Sequence, residues 1–174
     1  MTLVVYAGGN MLSYGDQMLR EYEKGCIRSI GLIPYAPQDD KEINDKTNQT
    51  EDSNNGLAEK IFNKDTKAMI DADILIFDVA NTSVGTVAEI GQWAMIHYLS
   101  KQFPHDIFLR KLASKPIFFH SSDVRDTYIP EVGYRRSHGY NQYVVGACYE
   151  CNSKGIQTWE EIMDELKDLV DKYE

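Results

Sequence analysis

The chain has 174 residues, 43% of them hydrophobic, and carries a formal net charge of −9. That length suits a single domain, 1–174, with one sizeable core, and the acidic balance argues against a nucleic-acid or anionic-membrane surface, which needs clustered Lys and Arg. No apolar run approaches the roughly 20 residues of a membrane span, no basic region or cleavage site precedes the first strand, and three cysteines build no disulfide framework, so a soluble cytoplasmic protein is expected.

Residues 3–7 read as a first buried strand, closed by Gly8-Gly9-Asn10, where the glycines let a ligand approach the backbone closely. A helix is expected over 14–30, with Met18, Leu19, Tyr22, Cys26 and Ile30 at helical spacing and Gly31 as its stop. Residues 32–36 read as a weak second strand, placed at a sheet edge by Pro34. Residues 37–56 are polar, with Ile43 the only strongly apolar side chain, and read either as a lid over a site or as a solvated excursion. The spacing then predicts a helix over 57–70 that buries Ala58, Ile61, Phe62 and Met69. Asp65 falls in the same stripe, four residues from both Ile61 and Met69. An inward acid costs free energy unless it is paired or used. Such an acid is more often hydrogen-bonded structure than catalytic, and its place on the element feeding the central strand strengthens the case for function.

The chain is organised around residues 71–93. Ile74-Leu75-Ile76-Phe77 with Val79-Ala80 is a β-rich apolar run without alternation, which reads as a strand buried on both faces. Asn81, Thr82, Ser83 and Gly85 form a tight polar loop, and from Thr86 to about Lys101 a helix is expected, with Glu89 in its opening turns. Ligands of open α/β sheets bind beyond the carboxyl ends of strands, where this loop lies, and the helix's positive end is expected to hold Glu89 ionised. Residues 102–114 read as irregular, 115–120 as a fourth strand, 121–139 as a second long loop, and 141–147 as a fifth strand entered at Asn141. An amphipathic helix over 158–173 opens on a capping box formed by Thr158 and Glu161. Alternating strands and helices imply a parallel sheet covered on both faces.

Cys148-Tyr-Glu-Cys151 has the form of a redox pair or half a zinc site, yet no second pair and no His cluster at ligand spacing accompanies it. Two incidental cysteines at a strand end is the better reading. Gly8-Gly9 is too short for a dinucleotide fingerprint. The acids Asp73, Asp78 and Glu89 lie on a strand and a helix in an order that is not diagnostic of a metal, so no metal or cofactor is assigned. What is left is Tyr6 at the end of the first strand, Asp65 facing inward, and Glu89. Two carboxylates, one ionised and one able to carry a proton, suit glycosyl transfer.

These residues resemble the nucleoside 2-deoxyribosyltransferase family. The likeness lies in Asp65 with Asp73-Ile-Leu-Ile-Phe77, in Ser83-x-Gly85-Thr86-x-x-Glu89-Ile90-Gly91, and in the opening Val4-Val5-Tyr6-Ala7-Gly8. It runs in order from Tyr6 through Asn141 and is most specific at Glu-Ile-Gly, while the two long loops match poorly. The resemblance implies a flavodoxin-like, doubly wound five-stranded parallel sheet with helices on both faces. It also implies a homo-oligomer whose active sites a neighbouring subunit completes. The implied reaction cleaves the N-glycosidic bond of a 2′-deoxynucleoside and transfers deoxyribose to another nucleobase, through a covalent intermediate on Glu89 and without a cofactor.

By position, Tyr6 would orient the Glu89 carboxylate and Asp65 would contact the base and protonate the departing nitrogen. Gln38 would contact the base, Gly8, Ser83 and Gly85 would line the substrate, and Asn141 would reach a neighbour's sugar hydroxyl. One position departs from the pattern. Six residues before the nucleophile the transferases tend to carry an Asp that contacts the sugar's 5′ oxygen, and this chain has Ser83. The related 2′-deoxynucleoside 5′-monophosphate N-hydrolases carry a Ser there that binds phosphate. No Arg or Lys sits in the Gly8 loop or beside Ser83 to neutralise a phosphate. The transferase is therefore the favoured expectation, with the nucleotide N-hydrolase and a non-catalytic nucleotide-binding module as alternatives.

Overall fold

The computed structural model describes residues 2–45, 50–80, 82–123 and 139–173. Five parallel strands stand in the order β2-β1-β3-β4-β5: β1 (Val4–Gly8), β2 (Ile33–Tyr35), β3 (Ile74–Asp78), β4 (Ile117–His120) and β5 (Ile156–Gln157). Among the described residues eight helices join or flank them: α1 (Tyr14–Ser29), α2 (Lys41–Asn44), α3 (Glu51–Asn54), α4 (Leu57–Asp71), α5 (Val84–Gln102), α6 (Ile107–Ala113), α7 (Gln142–Cys151) and α8 (Trp159–Tyr173). This is the doubly wound, flavodoxin-like order. Pro34 lies in β2, at the edge of the sheet, where its missing N–H is tolerated.

Successive strand residues point to opposite faces, and the two cores divide accordingly. Tyr6, Leu75, Phe77, Ile117 and Phe119 join Met69, Ile90, Trp93, Leu112, Val145 and Cys148 on the face covered by α4 to α7. Val5, Ala7, Ile74, Ile76 and Phe118 join Ile27, Ile162, Met163 and Leu166 on the face covered by α1 and α8. Every residue of β3 is buried, as an apolar run without alternation requires. The strand is positioned at its entry by Asp73, whose Oδ2 accepts from the Val4 amide at 2.8 Å.

Several elements differ from the sequence expectation. Residues 141–147 are not a strand but the start of α7, with Asn141 as its N-cap accepting from the Tyr143 amide at 2.9 Å. The β-formers Tyr143, Val144 and Val145 yield to packing, because one helical face carrying Val145 and Cys148 closes the core beside Trp93. The fifth strand is instead the two-residue β5, entered from Gly155 at φ 65°. Residues 107–113, expected as irregular, are α6, capped by Asp106, whose side chain accepts from the Leu109 amide.

Two helices also bury a different face. In α1 Met18 and Tyr22 face out, at 59% and 61% exposure, while Leu19, Cys26 and Ile30 are half-buried and Arg20, Glu23, Lys24 and Ile27 turn in. In α4 Asp65 and Met69 face inward as predicted, with Ile61 half-buried, whereas Ala58 and Phe62 are exposed. The polar stretch after β2 is folded rather than extended: a 3₁₀ turn (Pro37–Asp39), then α2 with Ile43 buried. Lys24 binds Asp39 at 2.7 Å and Lys64 binds Asp40 at 2.9 Å, tying that stretch to α1 and α4. Asn81, residues 46–49 of the first polar stretch and residues 124–138 of the second long loop lie outside the described residues.

Candidate active site

The spatial order of strands reverses at β1, which has β2 on one side and β3 on the other, and the crevice that opens there is where α/β sheets take ligands. A cleft of about 840 Å³ occupies it, walled by the loop after β1, the 3₁₀ turn, α4 and the start of α5. Gly8, Gln38, Asp65, Ser83, Gly85 and Glu89 all line it. Six side chains or backbones singled out from sequence thus converge on one site. Tyr6 stands directly behind it, and its hydroxyl donates to Glu89 Oε1 at 2.9 Å. Asn141 is exposed at the head of α7 and does not line the cleft.

Each member is held from below. The Tyr6 ring is fully buried, stacked on Tyr35 with 5.8 Å between centroids and tilted against Phe77 at 5.9 Å, so its hydroxyl has one direction to point. Burial and the charges of Glu89 and Asp65 push the phenol well above its ordinary pKa, which keeps it a donor. Gly8 must be a glycine. A Cβ there would meet Phe77 at 2.8 Å, Glu89 Oε2 at 3.0 Å and the Tyr6 ring at 3.0 Å. The Glu89 carboxylate and the two rings therefore stand where a side chain at position 8 would be.

Glu89 departs from expectation in its protonation. Helix α5 begins at Val84 rather than Thr86, which places Glu89 in the second turn, beyond the reach of the helix's positive end. Burial dominates instead and pushes its carboxyl from 4.5 to about 7, the Tyr6 hydrogen bond pulling down and the Asp65 charge pushing up. Asp65 is itself raised to about 6, by burial first and the Asp40 charge second, with Lys64 opposing. Its Oδ1 is buried and has no hydrogen-bond partner among the described residues. Ser83, the N-cap of α5, does not cap with its side chain; its hydroxyl donates to Thr86 Oγ1 at 2.6 Å. The Gln38 amide donates to Glu21 Oε1 at 3.2 Å.

Sequence reasoning missed the α1 side of the cleft, where Asn10, Gln17 and Glu21 line the wall. The Gly8-Gly9 pair was the signal, since a close backbone approach implies that the residues following it face the ligand too. A second cluster also went unread. Donor atoms of Glu23, Asp78 and His120 lie within 4.8 Å of one another, as metal ligands would. Arg20 fills the cationic role there, its Nη2 standing 2.9 Å from Glu23 and 2.6 Å from Asp78. Cys148 and Cys151 are free thiols on α7, both held protonated by burial, Cys151 at about 12.

Fold and cleft together define an α/β protein of the open, doubly wound class, with a tyrosine-held carboxylate at its topological switch point. The chain belongs to the nucleoside 2-deoxyribosyltransferase family, whose sequence model matches residues 5–158. The family is enzymatic and binds nucleoside substrates. Among solved structures, a conserved protein from Enterococcus faecalis V583 superposes over 100% of both chains with a TM-score of 0.62 at 19% identity. The 2-deoxyribosyltransferase of Bacillus psychrosaccharolyticus matches 83% of this chain and 81% of its own, with a TM-score of 0.51 at 14% identity. Both share the fold. No curated protein matches the sequence.

Proposed function

We propose that the protein is a nucleoside 2-deoxyribosyltransferase, acting through a covalent deoxyribosyl intermediate on Glu89. The observation that carries this reading is the 2.9 Å hydrogen bond from Tyr6 to Glu89 on the wall of a cleft that Asp65 shares. Glu89 Oε attacks C1′ as the bond to the base nitrogen breaks, and Asp65 delivers a proton to that nitrogen. The acceptor base then displaces Glu89 from the other side and gives up its N–H proton to Asp65, so two inversions give net retention and ping-pong kinetics. The two acids are coupled. Protonating Asp65 removes a charge that raises Glu89 and so eases the ionisation of Glu89.

The cleft supports a nucleoside over a nucleotide. The Ser83 hydroxyl is bonded to Thr86 Oγ1, and among the described lining residues no Lys or Arg stands by to neutralise a phosphate. The scheme needs no cofactor or metal. Within the same proposal, residues 1–174 form one domain, and a second copy completes the site, with Asn141 reaching a neighbour's sugar hydroxyl. Leu12, Tyr14, Met18 and Val84, all exposed around the cleft mouth, support an apolar partner there.

Chromatography of the purified protein with deoxyinosine plus adenine, run beside deoxyguanosine monophosphate alone, tests this. New deoxyadenosine in the first tube is the expected result. Free guanine in the second with nothing in the first would replace the transferase by the nucleotide N-hydrolase, and silence in both would leave a non-catalytic binding module.

A further inference from the structure

Four ionisable side chains lie almost wholly out of water beneath the Gly8-Gly9 turn. Arg20 is 3% exposed, Glu23 2%, Asp78 1% and His120 4%. Arg20 reaches across from α1 to bind Asp78 at the carboxyl end of β3 and Glu23 on its own helix. The other Asp78 oxygen accepts from the Ser122 amide at 2.9 Å, just beyond β4. A buried ion cluster of this kind is a poor way to gain stability, because desolvation offsets most of the attraction. Its location supplies another reason for it. Arg20 Nη1 donates to the Gly8 carbonyl at 3.4 Å, and a Cβ on Gly9 would lie 1.7 Å from the same nitrogen. The guanidinium is therefore packed against the underside of the turn whose upper side meets Glu89.

We propose that Arg20 is a positioning residue of the active site, its guanidinium holding the Gly8-Gly9 turn at the depth where Gly8 leaves room for the Glu89 carboxylate. Asp78 and Glu23 fix the guanidinium, the guanidinium fixes the turn, and the turn sets one wall of the carboxylate's pocket. Gly9 is a glycine because the space a side chain would take is already filled by Arg20. The inference rests on the proposed role of Glu89 for its kinetic consequence and on the geometry alone for its structural one.

The experiment separates the two. Arg20→Lys, Arg20→Met and Gly9→Ala are prepared in the full chain, and for each the melting temperature, the ¹³C-detected titration of the Glu89 carboxyl and transfer between deoxyinosine and adenine are measured. In folded variants the titration of Glu89 is expected to move from its wild-type midpoint. The value of kcat is expected to fall about 10- to 100-fold with KM within about threefold, the size of loss that a misplacement near 1 Å produces. Gly9→Ala keeps all four ionisable side chains and displaces the guanidinium from the side of the turn, so it decides the matter if the Arg20 variants do not fold. In the double variant Gly9→Ala/Arg20→Met the two losses are expected to fall short of additive, because the alanine methyl no longer meets a guanidinium and has only Asp78 Cβ, at 3.1 Å, beside it. Folded variants that titrate at Glu89 and turn over like wild type would overturn the proposal. If wild-type protein transfers nothing, the assigned reaction fails, while an altered Glu89 titration still upholds the clamp.

Discussion

Glu89 is better suited to chemistry than to stability, and its protonation states the conflict. The folded chain holds its proton up to about pH 7, whereas the ordinary value is 4.5. Between those two values the folded state binds more protons than the unfolded one, so this residue's contribution to stability falls as pH rises through the window and is lowest above it. Glu89→Gln keeps the acceptor for Tyr6 and removes the charge. It is expected to abolish transfer by about three orders of magnitude or more. It is also expected to melt like wild type near pH 4 and to be more stable at pH 8 by about 1–3 kcal/mol. Melting curves of both proteins at the two pH values check this, and a variant no more stable at pH 8 would mean that Glu89 is not held up by burial. Tyr6, Asp65 and Glu89 were legible in sequence because each sits at a fixed step from a strand end or within a helical stripe. The ionisation of Glu89 was not legible, since it depends on burial and on Tyr6 and Asp65, which stand far from it in the chain.

At the scale of elements, α4 carries Asp65 and is held at its far end by a residue of another segment. Lys115, just ahead of β4, donates from Nζ to the carbonyls of Met69, Ile70 and Ala72, three of the groups that a helix C-terminus leaves unpaired. The same ammonium lies 5.9 Å over the Trp93 ring. Lys115→Met keeps most of the apolar stem and removes the donors. A loss of about 1–2 kcal/mol is expected, which for a chain of this size lowers the melting temperature by about 3–8 °C. Hydrogen exchange should show the last turn of α4 opening first, and protection unchanged there would deny Lys115 this role. The sequence offered no sign of the clamp, because the contact spans more than forty positions. The α7 error has a similar cause. Tyr-Val-Val favours a strand locally, but Asn141 as a cap and the apolar spacing from Val145 to Cys148 favour the helix that the core requires. The actual fifth strand is too short to show a period.

The whole molecule bears on the choice between nucleoside and nucleotide through its field. The chain carries −9 overall. Glu21, Asp39, Asp65 and Glu89 line the cleft, and its described lining includes no Lys or Arg. A phosphate dianion entering this cleft meets like charge, both locally and from the protein as a whole, and a cleft walled by low-dielectric material focuses that repulsion. A neutral deoxynucleoside meets none of it. Deoxyinosine monophosphate is therefore expected to compete with deoxyinosine at least about tenfold more weakly at 10 mM salt, where the screening length is about 30 Å. Near 1 M salt that length contracts to about 3 Å, so the long-range part of the repulsion vanishes and the gap should narrow severalfold. The contact part, set by the cleft's carboxylates, should persist. Inhibition constants for the two compounds, measured across that range of ionic strength, give both parts. Tighter binding of the monophosphate at low salt would require a built phosphate site and would move the reading from a transferase of nucleosides to a hydrolase of nucleotides. A gap that does not respond to salt would place the discrimination in contact chemistry alone and remove the field from the account.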